Sequence, residues 1–206
     1  MEGLDVSTDL LSEQRYAEEN RARIIQRLPP KLVVREDGLL PKFQRNKGTP
    51  LRKLELLFDF MEELYSAIGP YLPCKKGCSY CCHIDVIDVS EIEIAFIEQK
   101  TQRRRRAKLG PAPAHGQPCP FLRGDACSIY SARPFLCRRH MVLTRTPYWC
   151  HPDRANTEEF PLLAFTEVDN VMGLIRAESG STTPTDIRRV FDVVGGAERW
   201  QAEPVT

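Results

Sequence analysis

The sequence predicts a mainly α chain with short extended segments, in which an irregular cysteine-rich centre is assembled from two loops. Three observations predict it. Apolar residues recur at helical spacing in several separated stretches. All eight cysteines fall between positions 74 and 150, where that periodicity is weakest. Prolines and glycines sit at the ends of the periodic stretches, where they act as stops.

Taken in order, residues 1–30 read as a weakly amphipathic helix. Leu10, Ala17, Ile24 and Leu28 fall near one face, Glu13, Arg15, Glu18, Glu19, Arg21 and Arg23 cover the rest, and Pro29-Pro30 ends it. Segment 31–48 contains Gly38, Pro41 and Gly48 and no sustained period, so a linker or wrapping loop is expected. Residues 1–48 are thus expected as an arm whose helix docks a protein partner, and 49–206 as a helical domain. The clearest helix runs from Thr49-Pro50, a cap and a first-turn proline, to Gly69-Pro70. Leu54, Leu57, Phe58, Met61, Leu64, Tyr65 and Ile68 form its apolar stripe. Its charges oppose the helix dipole, with Arg52 and Lys53 early and Glu62 and Glu63 late, so packing must stabilise it.

Ile84–Val89 reads as a short strand. Ser90 and Glu93 form a capping box that opens a helix through Ile92, Ala95, Phe96 and Gln99. The basic run Arg103–Arg106 with Lys108 reads as a solvated helix end or loop. Pro111, Pro113, Gly116 and Pro118 mark an irregular connection. Phe165, Val168, Val171, Met172 and Ile175 make another helical stripe. Thr183-Pro184 with Asp186 starts the last helix, with Ile187, Val190, Phe191 and Val194 inside and Gly195 closing it.

The 206 residues suffice for one compact domain with an arm, and 42% hydrophobic and 28% charged residues are ordinary for a globular chain. A net charge of +1 offers no global field toward nucleic acid or a membrane surface, so neither partner is expected. No apolar run approaches the roughly 20 residues a membrane span needs. The opening MEGLDVSTDL has no basic and apolar leader pattern, so the reducing cytoplasm is the expected compartment. A disulfide framework belongs to short secreted chains, whereas clustered thiols in a reducing cell point to shared metal ligation.

The cysteines fall in two groups, Cys74-x3-Cys78-x2-Cys81-Cys82 and Cys119-x7-Cys127-x9-Cys137-x12-Cys150. Tight turns in the first group can aim several thiolates at one point, with backbone N–H groups donating to the sulfurs. Neighbouring residues of an extended backbone point to opposite faces, so Cys81 and Cys82 suggest either two adjacent sites or a cluster that leaves one of them out. Haem attachment fails because the residue three before Cys82 is Ser79. A thioredoxin-like pair at Cys78/Cys81 lacks a surrounding βαβ pattern. The C-x3-C-x2-C spacing resembles the cluster motif of radical S-adenosylmethionine enzymes, but no β/α repeat follows it. A zinc ribbon needs two knuckles, and only Cys78/Cys81 has that spacing. Lys75, Lys76, Arg133, Arg138 and Arg139 stand beside the cysteines and could offset thiolate charge. His83, His140 and His151 are weaker ligand candidates, while Phe121 and Tyr130 read as core packing. No phosphate loop, Gly-x-Ser-x-Gly or His-Glu-x-x-His motif occurs.

The first cysteine group, followed by Cys119-Pro-Phe-Leu and then Cys127-Ser-Ile-Tyr130-x2-Arg133-Pro134-x2-Cys137-Arg138, resembles the bacterial cysteine-cluster proteins of the putative zinc- or iron-chelating domain family. The resemblance covers residues 72–140 and leaves Cys150 outside. It implies a metal centre, and through a related motif in flagellin lysine-N-methylase proteins it allows a role in protein modification. The expected function is metal binding by Cys74, Cys78, Cys81, Cys82, Cys119, Cys127, Cys137 and Cys150, structural or electron-carrying. A redox subunit of a modifying enzyme and a metal store or chaperone are the alternatives. The single knuckle, the irregular remaining gaps and Cys119-Pro120 favour an iron–sulfur cluster over Zn²⁺.

Overall fold

The computed structural model describes residues 10–75, 77–181 and 183–193. Eight helices dominate the described residues: α1 (Leu10–Arg27), α2 (Pro30–Asp37), α3 (Leu39–Arg45), α4 (Pro50–Ile68), α5 (Glu91–Thr101), α6 (Phe135–Arg139), α7 (Thr166–Glu178) and α8 (Ile187–Val190). Four two-residue strands complete it: β1 (Asp88–Val89), β2 (Leu122–Arg123), β3 (Ala126–Cys127) and β4 (Thr185–Asp186). The mainly α reading holds, with the cysteines in the irregular part.

Helix α4 is the central beam. Thr49 caps it by accepting from the Arg52 N–H at 3.3 Å, and Pro50 supplies its first position. Leu54, Leu57, Phe58, Met61, Leu64 and Ile68 are buried along its stripe. Burying each contributes about 1.5–3 kcal/mol, against dipole penalties of about 0.3–1 kcal/mol for the misplaced charges, so packing wins. One of those charges is not at the surface. Lys53 is buried and its Nζ donates to both Glu178 oxygens at 2.7 Å, joining α4 to α7.

The segment expected as a linker is helical. Gly38 separates α2 from α3 and interrupts the apolar register, which hides the period from a sequence reading. Leu32, Leu39 and Phe43 are buried in the same core as α4, α5 and α7. Helix α1 packs through Ala17 and Ile24 on Ile68, Met141 and Leu143, a second cluster next to the first.

The Ser90/Glu93 capping box is present at the start of α5. The strand expected over Ile84–Val89 is reduced to β1, which pairs antiparallel with β4 (Asp88 opposite Asp186). The last helix begins at Ile187, capped by Asp186 rather than by Thr183, because Thr185 and Asp186 are taken by the strand. It lasts one turn, with Phe191 buried after it; Val194 and Gly195 lie outside the described residues. The basic run folds back on its own chain. Arg105 bridges Glu98 (2.9 Å) and Glu91 (2.6 Å), Arg106 pairs with Asp192 (2.9 Å), and Arg103 donates to the Asp192 carbonyl (2.8 Å). No helix among the described residues is long and apolar enough to cross a membrane.

Candidate metal centre

Five short pieces carry the cysteines. Cys74 and Cys78 lie in the loop after α4, and Cys81 and Cys82 in a 3-10 turn, Tyr80–Cys82. Cys119 precedes β2 and Cys127 ends β3 of an antiparallel hairpin, where Leu122 opposes Cys127. The hairpin turns at Gly124, whose φ of +51° suits a residue without a Cβ. Cys137 sits in α6, and Cys150 ends a 3-10 turn, Pro147–Cys150. All eight are free thiols. Together they line a single cavity of about 520 Å³, shared with Phe121, Ile129, Ile187 and others.

Main-chain hydrogen bonds hold these pieces together. The Cys119 N–H donates to the Cys82 carbonyl at 2.7 Å, Leu122 N–H to the Cys119 carbonyl at 3.0 Å, and Ser128 N–H to the Phe121 carbonyl at 2.8 Å. The turn ending at Cys150 packs on the Tyr80–Cys82 turn, where the Tyr80 and His151 rings lie 5.7 Å apart. Helix α6 is fixed through Glu93 of α5, whose carboxylate accepts from the Phe135 N–H at 2.8 Å.

Two opposed effects act on the sulfurs, backbone donors and burial. The N–H groups of Tyr80, Phe121 and Ile129 each donate to the sulfur of the cysteine two residues earlier, Cys78, Cys119 and Cys127, and lower its pKa. Val142 does the same for Cys74 from a distant segment. Burial outweighs these donors and raises all four, Cys119 to about 12. Burial likewise raises Cys137 and Cys150. The Cys82 thiol hydrogen-bonds to Cys81, lowering the pKa of Cys81 and raising its own. A metal ion reverses this balance, because it stabilises the thiolate that burial alone disfavours.

The flanking cations divide. Lys75 and Arg133 line the cavity, and Arg133 lowers the pKa of Cys74, Cys81, Cys127 and Cys137. Arg138 is buried over the Phe58 ring at 4.2 Å, caps the Arg133 carbonyl at 3.0 Å, and is brought down to about 10 by burial. Arg139 turns away to Asp169 at 3.3 Å, and Lys76 lies outside the described residues. His140 lines the cavity with a buried Nε2 that has no hydrogen-bond partner among the described residues. His83 Nδ1 bonds to the Gly116 carbonyl at 3.0 Å, and His151 Nδ1 accepts from the Asp153 N–H at 3.2 Å.

Sequence reasoning missed Arg188. Buried, it donates to the carbonyls of Ile84 (3.0 Å), Gln117 (2.8 Å) and Asp85 (2.7 Å), clamping the segments that follow Cys82 and precede Cys119. It also lowers the pKa of Cys119. The only sequence signal was the Asp186 cap two residues earlier.

Does this donor set fit a metal group? Among the described residues no three Cys, His, Asp or Glu side chains converge on one ion-sized point. The eight sulfurs instead surround a space many times the roughly 30 Å³ share of one water. Soft thiolates with backbone N–H donors suit zinc and iron–sulfur groups, and the size of the space suits a group larger than one ion. The residues present therefore fit.

A comparison with known families supports a cysteine-based metal-binding role of the zinc- or iron-chelating kind. Residues 73–160, less than half of the chain, match the family model CxxCxxCC, named Putative zinc- or iron-chelating domain. The match reaches beyond the motif resemblance over 72–140 and takes in Cys150. The first gap here is three residues rather than the two of the family's name, and it contains Gly77 at φ +94°. No curated protein and no solved structure matches the chain.

Proposed function

We propose that the eight cysteines hold a resident iron–sulfur centre that staples the loops and carries electrons. The observation supporting this most is the single cavity of about 520 Å³ lined by all eight thiols. Such a space suits a polynuclear group better than one tetrahedral ion, whose four ligands must close to about 2.3 Å. Cys119 and Cys150 are also buried, five more cysteines are half-buried, and Cys74 is exposed. That arrangement favours a retained centre over a store, which must give up its metal to a partner. An iron–sulfur cluster, when bound, supplies one-electron transfer at a potential set by burial and by hydrogen bonds to sulfur. The chain supplies the N–H donors of Tyr80, Phe121, Ile129 and Val142, and Arg133 to offset thiolate charge.

The test is anaerobic expression in iron-replete medium, with iron, acid-labile sulfide and zinc assayed on one sample. Iron with matching sulfide and a chromophore bleached by dithionite is the expected result. Colourless protein with stoichiometric zinc and no labile sulfide would defeat the iron–sulfur reading. Zinc found after aerobic handling decides nothing, since thiolate sites also suit Zn²⁺.

A further inference from the structure

We propose that His140 is a hydrogen-bond donor to the bound metal group, its Nε2–H meeting sulfur inside the cysteine cavity. This rests on the metal-binding reading above and adds a side-chain donor to it.

The observation that carries it is a buried nitrogen with nothing to bond. His140 lines the cavity, and its Nε2 is buried without a hydrogen-bond partner among the described residues. Five other buried side-chain atoms share that state there. Four of them, Asn20 Oδ1 and the Nε atoms of Arg21, Arg106 and Arg176, belong to side chains that already bond through another atom. The fifth is Arg133 Nε, and Arg133 lines the same cavity. The two orphaned nitrogens whose side chains make no hydrogen bond or ion pair among the described residues thus border the one space shared by all eight thiols. A buried donor left unpaired forfeits its hydration, so such a nitrogen calls for an acceptor that completes it. Sulfur is the acceptor this space offers in quantity, and an imidazole carries its proton on the nitrogen that finds an acceptor.

Helix α6 sets the position of the ring. His140 follows Cys137 by three residues, a spacing that puts two side chains on one helix face. Its N–H closes the last turn by donating to the Leu136 carbonyl at 2.9 Å. Arg138 and Arg139 of that turn are engaged elsewhere, over the Phe58 ring and with Asp169. Glu93 fixes the other end of α6 through the Phe135 N–H. The role is donation rather than ligation, because no three Cys, His, Asp or Glu side chains among the described residues converge on one ion-sized point. A hydrogen bond to the sulfur of a larger group asks for no such convergence. Donors to sulfur stabilise the more negative, reduced form of an iron–sulfur centre and so raise its potential.

The test compares the wild-type chain with His140→Phe, which keeps a ring without a donor, and His140→Gln, which keeps an N–H. All are purified anaerobically, assayed for iron, acid-labile sulfide and zinc, and titrated with dithionite for the midpoint potential. His140→Phe should retain wild-type iron and sulfide at a more negative potential, and His140→Gln should recover part of the shift. An unchanged potential in His140→Phe at full metal content overturns the donor role and leaves the metal reading standing. Loss of iron from both variants, with wild-type circular dichroism, makes His140 a ligand and also overturns it. Should the variants fail to fold, electron–nuclear double resonance decides, on reduced wild type carrying isotopic nitrogen in its histidines. A weak nitrogen coupling with an exchangeable proton, surviving in His83→Asn and His151→Asn chains, supports donation. No such coupling, or the strong coupling of a direct bond, overturns it. A chain that holds zinc alone defeats the iron–sulfur reading by itself, and NMR of that form then reads the same bond. There a His140 Nε2 proton slow to exchange supports donation, and a proton-free Nε2 overturns it. A chain that takes up neither iron nor zinc with its thiols reduced removes both readings.

Discussion

The Cys119 N–H donates to the Cys82 carbonyl at 2.7 Å, so the two cysteine-bearing loops are joined through main chain before any metal bridges them. That bond fixes the entry of the hairpin, where Phe121, Leu122 and Ile129 are buried, but the first loop has no such apolar support. Between Tyr71 and Ile84 no apolar residue is buried. Structural metal can supply on the order of 10 kcal/mol to such a region. Anaerobic chelation should therefore lower the melting temperature and expose thiols to reagent, while helical circular dichroism from α4 and α7 persists below the transition. An unchanged melting curve, with metal removal verified on the same sample, would count against this.

Glu93 is buried at 1% exposure and satisfies groups from three elements. Its carboxylate accepts from the Ser90 N–H (2.9 Å), the Ser90 hydroxyl, the Phe135 N–H (2.8 Å) and Arg176 (3.1 Å). Glu93→Ala leaves those donors unpaired and should cost about 3–5 kcal/mol, the range for breaking one side of a buried ion pair. Glu93→Gln retains an acceptor and should cost less. Urea unfolding of both variants checks the order. Because Phe135 opens α6, Glu93→Ala should also lower metal retention by disturbing Cys137.

The side chain of Asn20 is fully buried between the segments that flank Cys74 and Cys150. Asn20→Leu removes both donors and leaves the Tyr71 and Leu143 carbonyls unpaired, at about 1–3 kcal/mol. The melting temperature should fall by several degrees, and Cys74 should be alkylated faster than in the wild type. A melting temperature equal to that of the wild type would show that these carbonyls find other partners.

Much of the fold is legible locally. Helices α4 and α5 carry their caps, Thr49 and the Ser90/Glu93 box, beside a sustained apolar stripe, so short-range information suffices. Helices α2 and α3 are not legible because each spans two turns and Gly38 breaks their common register. The β2–β3 hairpin is missed because two-residue strands show no alternation. At the site, the ligand candidates can be read as residue types, and so can the doubling at Cys81-Cys82. What cannot be read is that Cys150 lies beside Cys74 and Cys78, since that proximity is set by Asn20, Val142 and the packing of two 3-10 turns. Arg188 acts through carbonyls about 70 to 100 residues away, which no spacing rule encodes.

His115 supplies the prediction with a pH signature. Its Nε2 bonds to Asp153 at 3.0 Å and its Nδ1 to Asp85 at 2.7 Å, so the ring links a residue just past Cys82 to one just past Cys150. Both nitrogens can donate only when the ring is protonated. The bonds to Asp153, then to Asp85, raise the His115 pKa above its ordinary 6.5. Asn156 also bonds Asp85, at 3.3 Å, while Arg154 adds positive charge near Asp153. A raised folded-state pKa means that the stabilisation is full below 6.5 and is lost as pH rises through the folded value. At the acid end, Asp153 is held below its ordinary 3.8 by the His115 bond, so its share is lost only as pH falls through that depressed value. The imidazole faces solvent, so the effect should be small and weakened by salt. The melting-temperature gap between wild type and His115→Ala should be widest at about pH 5.5, roughly one unit below the ordinary histidine value, and close by about pH 9. Asp153→Asn should lower the His115 pKa in an NMR titration. A gap that stays constant across that range would mean that His115 acts through packing rather than through its charge.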